Sequence, residues 1–132
     1  MARSATRELL APREDVWRFL AEPYHLADWW PGIVGVVPDR RGLAPGARWT
    51  VRVVTRNVFT GRAERESTLL VREVEPYERW TWHLLRGALD VELCLRARGD
   101  RTLVTCTTSG RRRLPDVALR RLYDLVQTAA ER

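Results

Sequence analysis

Side chains able to move protons, attack electrophiles or hold metals are few in this sequence. It has two histidines. His25 lies between Tyr24 and Asp28, where an imidazole beside a carboxylate has the makings of a general acid or base. His83 follows Trp80-Thr81-Trp82, and strand alternation sends it to the face opposite those tryptophans. The two cysteines, Cys94 and Cys106, are too few for a disulfide framework and lack metal-site spacing. They read as free, buried thiols acting as small hydrophobes. No serine–histidine–acid set, glycine-rich phosphate loop or metal cluster is visible, so no cofactor or metal is expected. What the chain has instead is aromatic surface: six tryptophans, two of them adjacent in Leu26-Ala27-Asp28-Trp29-Trp30-Pro31-Gly32.

Adjacent helical positions point about 100° apart, so one packed helix face does not hold both rings. Leu26, Trp29 and Trp30 fall at i, i+3 and i+4, while Pro31 biases Trp30 away from helical geometry and Gly32 lets the chain turn. Trp29 is therefore assigned to the helix's packed face, and Trp30 to the exit, aimed elsewhere.

The totals bound the rest. The 132 residues fit one domain, 1–132, with a substantial core; 45% are hydrophobic and 30% charged, a globular balance. No apolar run reaches membrane-span length and no signal-peptide stretch opens the chain, so the expected location is cytoplasmic, without stable membrane insertion. The net charge of +6 raises the possibility of a basic module for nucleic acid or an acidic partner. However, every basic residue is an arginine, scattered from Arg3 to Arg132, with Arg111-Arg112-Arg113 and Arg120-Arg121 as the densest runs. That distribution fits a solvated basic surface and a coding preference for arginine. No nucleic-acid partner is expected.

The elements follow from periodicity. Residues 4–11 alternate as a first strand. Residues 12–21 form a short helix, with Pro12 at its start, Glu14 and Asp15 in its first turn, and Val16, Phe19 and Leu20 on one face. A second short helix opens at Pro23. The period then changes from 3.6 to 2, with strands at 33–39, 47–55, 66–74, 79–85, 89–98 and 102–109 separated by glycine and proline turns. Leu114-Pro115-Asp116 leads into a long helix over 117–131, with Ala118, Leu122, Leu125, Val126 and Ala129 on its apolar stripe and Leu119 and Tyr123 on the flank.

Two turns fix a register. With Gly99-Asp100 as a two-residue hairpin loop, Val104 meets Leu95, Cys106 meets Leu93, and Cys94 faces the other way, opposite Thr105. With Arg86-Gly87 as another, Trp80 meets Leu93, Trp82 meets Val91, and His83 meets Asp90 on the opposite side. Both hairpins independently assign Leu93 to one apolar surface. His83–Asp90 is then an outer-face cross-strand pair.

A strand, two short helices, six strands and a long helix make an α+β chain whose apolar sheet face needs a cover, and only the last helix is long enough. At Ala11-Pro12 with Val16-Trp17 and Leu20, Leu26 to Gly32, Gly46 to Val51, Pro76 to Trp82, and Arg101 to Thr105 with the closing helix, the sequence resembles a known family. This is the START and pollen-allergen-like (SRPBCC) superfamily, in particular its polyketide cyclase/dehydrase-like branch. The resemblance spans essentially the whole chain. It implies the helix-grip fold: a curved antiparallel seven-stranded sheet wrapped around the C-terminal helix, with two short helices after strand 1. It also implies a cavity between sheet and helix for a hydrophobic or amphipathic small molecule such as a lipid, isoprenoid or polyketide.

From the register, the sheet contributes Trp80, Trp82, Val91, Leu93, Val104 and Cys106 to that wall. Alternation adds Trp49, Val51, Val53, Leu69 and Val71, and the helix adds Leu119, Leu122, Tyr123 and Val126. Trp30 and Trp49 are expected near an opening, Trp17 and Trp29 in the scaffold. Core filling alone accounts for any one of these residues. As a group, large rigid rings with a polar N–H suit a wall that meets a guest. Three functions compete: a small-molecule binding protein, a cyclase, aromatase or dehydratase using the same cavity, and a basic interaction module. The first leads, as a monomer or homodimer, because the wall offers few polar groups beyond Tyr123, Thr108 and an arginine that could reach inward.

Overall fold

In a computed structural model, which describes residues 2–57, 59, 61–109 and 114–130, the chain forms seven strands and three α-helices. The first strand, β1 (Ala2–Leu9), begins two residues before the expected 4–11. Helix α1 (Arg13–Ala21) has Pro12 as its N-cap, whose carbonyl accepts from the amides of Asp15 and Val16 at 3.0 and 3.1 Å. A 3-10 turn, Pro23–His25, precedes α2 (Leu26–Trp29), so the second expected helix is two short pieces.

Trp30 closes the last helical bond, its amide donating to Leu26 at 2.9 Å, and then turns extended at φ −86°, ψ 122°. Gly32 follows at φ +88°, a left-handed conformation that a Cβ would strain. The chain thus leaves the helix between the two tryptophans. Both rings are buried, 5.5 Å apart and edge-to-face at 87°.

The strands β2 (Ile33–Val37), β3 (Arg48–Asn57), β4 (Gly61–Glu75), β5 (Arg79–Leu84), β6 (Leu89–Arg98) and β7 (Arg101–Ser109) follow. They join β1 in one antiparallel sheet, ordered β1-β7-β6-β5-β4-β3-β2. β4 begins five residues before the expected 66, because Gly61 to Arg65 pair with the end of β3. The β6–β7 register is the expected one, with Leu93 opposite Cys106 and Leu95 opposite Val104. Across β5 and β6, Trp80 meets Leu93 and Trp82 meets Val91, also as expected. The β5–β6 loop spans four residues, 85–88, instead of two, with positive φ at Gly87 and Ala88. Adding one residue to each side of a hairpin leaves the pairing parity unchanged, so the facing survives.

The last helix, α3 (Leu114–Ala130), starts a turn earlier than the expected 117. Proline tolerates a first-turn position, so Leu114-Pro115-Asp116 is helix and not a lead-in. Buried Ala118, Leu119, Leu122 and Val126 form its inner stripe. α3 lies closest to β1, β7 and α2. The rest of the concave face is filled by the largest side chains in the sequence.

Candidate functional site

The concave face is built in rows. Leu69 sits between Trp49 on β3 and Leu84 on β5. Val71, Trp82, Val91 and Thr108 form the next row across β4 to β7. Trp80, Leu93 and Cys106 form the one after it. Every residue named in these rows is 7% exposed or less.

Five indoles connect through this space. Trp30 meets Trp82 edge-on at 4.8 Å, Trp82 lies 5.9 Å from Trp80, and Trp80 lies 5.7 Å from Trp49. Trp29 continues the chain from Trp30. Trp30 and Trp49, expected near an opening, are 1% and 0% exposed, so that expectation is corrected: both are interior. Sequence alternation gives a residue's side of the sheet, but not how much protein covers it. Trp17, assigned to the scaffold, is also buried, and packs against Tyr77 at 6.2 Å.

The loop before β3 anchors Trp49. Its Nε1–H donates to the Gly42 carbonyl at 2.8 Å. Asp39 holds that loop, its two carboxylate oxygens accepting from the amides of Arg41 at 2.9 Å and Arg48 at 2.8 Å. The bond from the Arg48 amide is the main reason that its carboxyl sits below the ordinary carboxylate value.

Three other polar atoms on the concave face have no partner: Trp80 Nε1, Trp82 Nε1 and the Thr108 hydroxyl. All three residues are at most 1% exposed. The only other buried polar residue among those described, Thr102, donates its hydroxyl to the Ala11 carbonyl at 2.8 Å. An unpaired buried donor costs about 1–3 kcal/mol, and three on one face are conspicuous. The sequence marked Thr108 as a polar group on the wall, but not that it and two indoles would lack partners.

Other expected residues are placed as follows. Val51, Val91, Leu93, Val104, Leu119, Leu122 and Val126 are buried on the inner side. Tyr123 is half-buried and turns to the sheet edge, where the Arg7 guanidinium lies 5.5 Å over its ring. His25 is tied to the scaffold: Nδ1 bonds the Phe19 carbonyl at 2.8 Å and its ring stacks on Phe19 at 4.1 Å. Burial pushes the Cys106 thiol up to about 12, which keeps it neutral near pH 7. Cys94 is on the opposite face.

His83 bonds Asp90 at 2.7 Å on the outer face, as the register implied. An open groove of about 900 Å³ on that side is lined by Glu8, Arg96, Arg98, Asp100 and Arg101, with Arg101 paired to Glu8 at 3.5 Å. Its mixed charges are those of a solvated surface. Arg111 to Arg113 lie outside the described residues, while Arg120 and Arg121 are exposed on α3. Among the described residues, no helix is long and apolar enough to cross a membrane.

An open antiparallel sheet curled toward a C-terminal helix, with two short helices after the first strand and an aromatic interior, defines the helix-grip class. Within it, the sequence profile of the Activator of Hsp90 ATPase homolog 1-like family matches residues 10–119, and the chain belongs to that family. No curated protein matches the chain by sequence. Solved structures share its fold. A protein from Nitrosomonas europaea is 18% identical with a TM-score of 0.74, covering 100% of this chain and 97% of its own. An AHSA1-like protein from Aeromonas hydrophila is 17% identical with a TM-score of 0.74, covering 100% and 96%. Norcoclaurine synthase from Thalictrum, solved with a transition-state analogue, is 14% identical with a TM-score of 0.71, covering 98% and 96%.

Proposed function

We propose that the protein binds a hydrophobic or amphipathic small molecule between the concave sheet face and α3. The observation that carries this reading is the set of three unpartnered polar atoms on the concave sheet face, Trp80 Nε1, Trp82 Nε1 and Thr108 Oγ1, among mostly apolar side chains. Pockets of this kind combine apolar walls with a few polar groups that orient the guest. The proposed wall from the sheet is Trp49, Val51, Leu69, Val71, Trp80 and Trp82, continued by Val91, Leu93, Val104 and Cys106. Trp30 closes it at the end of α2, and Leu119, Leu122 and Val126 from α3, with Tyr123 at the sheet edge beside Arg7.

Binding is favoured over cyclase, aromatase or dehydratase chemistry for one reason. Among the described residues no carboxylate or imidazole is buried, the one buried thiol is neutral, and the one guanidinium atom that is buried without a partner, Arg13 Nε, stands at the start of α1 and not on the sheet. Proton transfer at a guest would need such a group in reach. The cytoplasm remains the proposed location, with a monomer or homodimer as the working state.

Native mass spectrometry of protein purified from its own host tests the reading. A co-purifying small molecule is the expected result. A protein that carries none, and whose indole fluorescence ignores fatty acids, isoprenoids and aromatic polyketides, would overturn it.

A further inference from the structure

The unpartnered groups have a shared chemical sense. An indole N–H only donates, and a threonine hydroxyl supplies a donor as well as acceptor capacity. Trp80 and Trp82 stand two residues apart on β5 and face the same way. Thr108 lies in the row of Trp82 with Val91 between, two strand spacings or about 10 Å away at the backbone. Donors therefore reach the interior from two places on the sheet.

No charged residue on the sheet is buried with them, although Arg13, at the start of α1, has its Nε buried without a partner. Thr102 and Thr108 are the only buried polar or charged residues among those described, and Cys106 stays protonated. The inner-face cations of the sheet edge, Arg3 opposite Thr108 and Arg7 opposite Val104, are on β1. Arg3 is exposed, and Arg7 lies over Tyr123. A carboxylate or phosphate brought among the indoles would lose its water without gaining a counter-charge, a penalty that neutral donors do not cover. An uncharged oxygen acceptor meets the same donors with little desolvation cost. Flat rings also suit an interior already made of edge-to-face indoles.

Building on the proposed binding role, we infer that the site selects by charge. It takes a neutral, planar ligand with carbonyl-type acceptors, which accept from Trp80, Trp82 and Thr108, and it rejects free fatty acids and phosphate esters.

Three near-isosteric probes with a group at each end test this on the intact protein: 2,6-diacetylnaphthalene, 2,6-diisopropenylnaphthalene and naphthalene-2,6-dicarboxylate. Affinity is read by calorimetry, and the indole N–H resonances by ¹H–¹⁵N NMR, assigned with Trp80→Phe and Trp82→Phe. The ketone is expected to bind at least tenfold tighter than the carboxylate and several-fold tighter than the hydrocarbon, shifting the Trp80 and Trp82 N–H signals downfield. Should Trp→Phe variants fail to fold, Thr108→Val still decides the point, because it keeps shape and removes only the hydroxyl. It is expected to weaken ketone binding several-fold while raising the Tm of the empty protein, since a buried unpaired hydroxyl is lost.

Dicarboxylate or hydrocarbon binding as tightly as the ketone would overturn charge and acceptor selection while leaving the binding role intact. Unchanged ketone affinity in Thr108→Val would remove Thr108 from the site and overturn the proposal as stated. Silence from all three probes, with no co-purifying molecule, would remove the binding role and the inference together.

Discussion

The two faces of the same sheet treat polar groups in opposite ways. On the outer face of β5, Arg79 bonds Glu92 at 2.8 Å and also pairs with Glu73, while His83 bonds Asp90 at 2.7 Å. Further along, hydroxyl pairs join Ser4 to Thr107 and Thr6 to Thr105 at 3.1 and 3.0 Å. Water reaches that face, and would satisfy these groups if they parted. On the inner face of β5, one residue away in sequence, Trp80 and Trp82 keep their N–H groups unpaired where water is excluded. On β5, partners are present where pairing is worth little and missing where their absence is costly. That contrast is the one the proposed binding role rests on.

Four experiments would sharpen or break that contrast. The largest effect belongs inside: Trp82→Ala should cost about 3–5 kcal/mol in urea unfolding, because it opens a large cavity where Trp30, Trp80 and Val71 meet. A loss below about 1 kcal/mol would mean that the indoles are loosely held.

The two thiols come next. Cys106 has its thiol pushed up to about 12 by burial, so the folded state resists losing this proton while the unfolded chain releases it near the ordinary 9.0. Folding stability should therefore hold below pH 9 and fall as pH rises above it. At pH 10 the wild type should have lost about 1 kcal/mol more than Cys106→Ala has. Cys94 shifts the same way through burial and then Glu92, but it is only half-buried, so a thiol reagent should modify it first. Equal labelling rates would contradict the inner and outer assignment. The smallest effect is outside: a double-mutant cycle on His83 and Asp90 should give a few tenths of a kcal/mol, shrinking with added salt.

Much of the scaffold was legible in the sequence. Period-2 alternation and two glycine turns gave the pairing of Trp82 with Val91 and of Cys106 with Leu93, and a four-residue loop in place of a two-residue one left that pairing unchanged. The site was legible as a list of inward positions, because alternation assigns every strand residue a side. It was not legible as an arrangement. Trp30 and Trp49 look like rim residues until α2 and the loop around Gly42 cover them. Tyr123 sits on the flank of the helix stripe, and only the approach of α3 to β1 turns it to Arg7. His25 beside Asp28 suggested acid–base chemistry, until the turn after α1 brought its ring onto Phe19.

By itself, then, the sequence determined the order of elements, the faces of the strands and the identity of the aromatic residues, since these depend on spacing along one chain. Whether a donor finds an acceptor depends on atoms brought from distant segments. That is why Trp49 has a partner in Gly42 while Trp80 and Trp82 have none, and only the tertiary structure decided it.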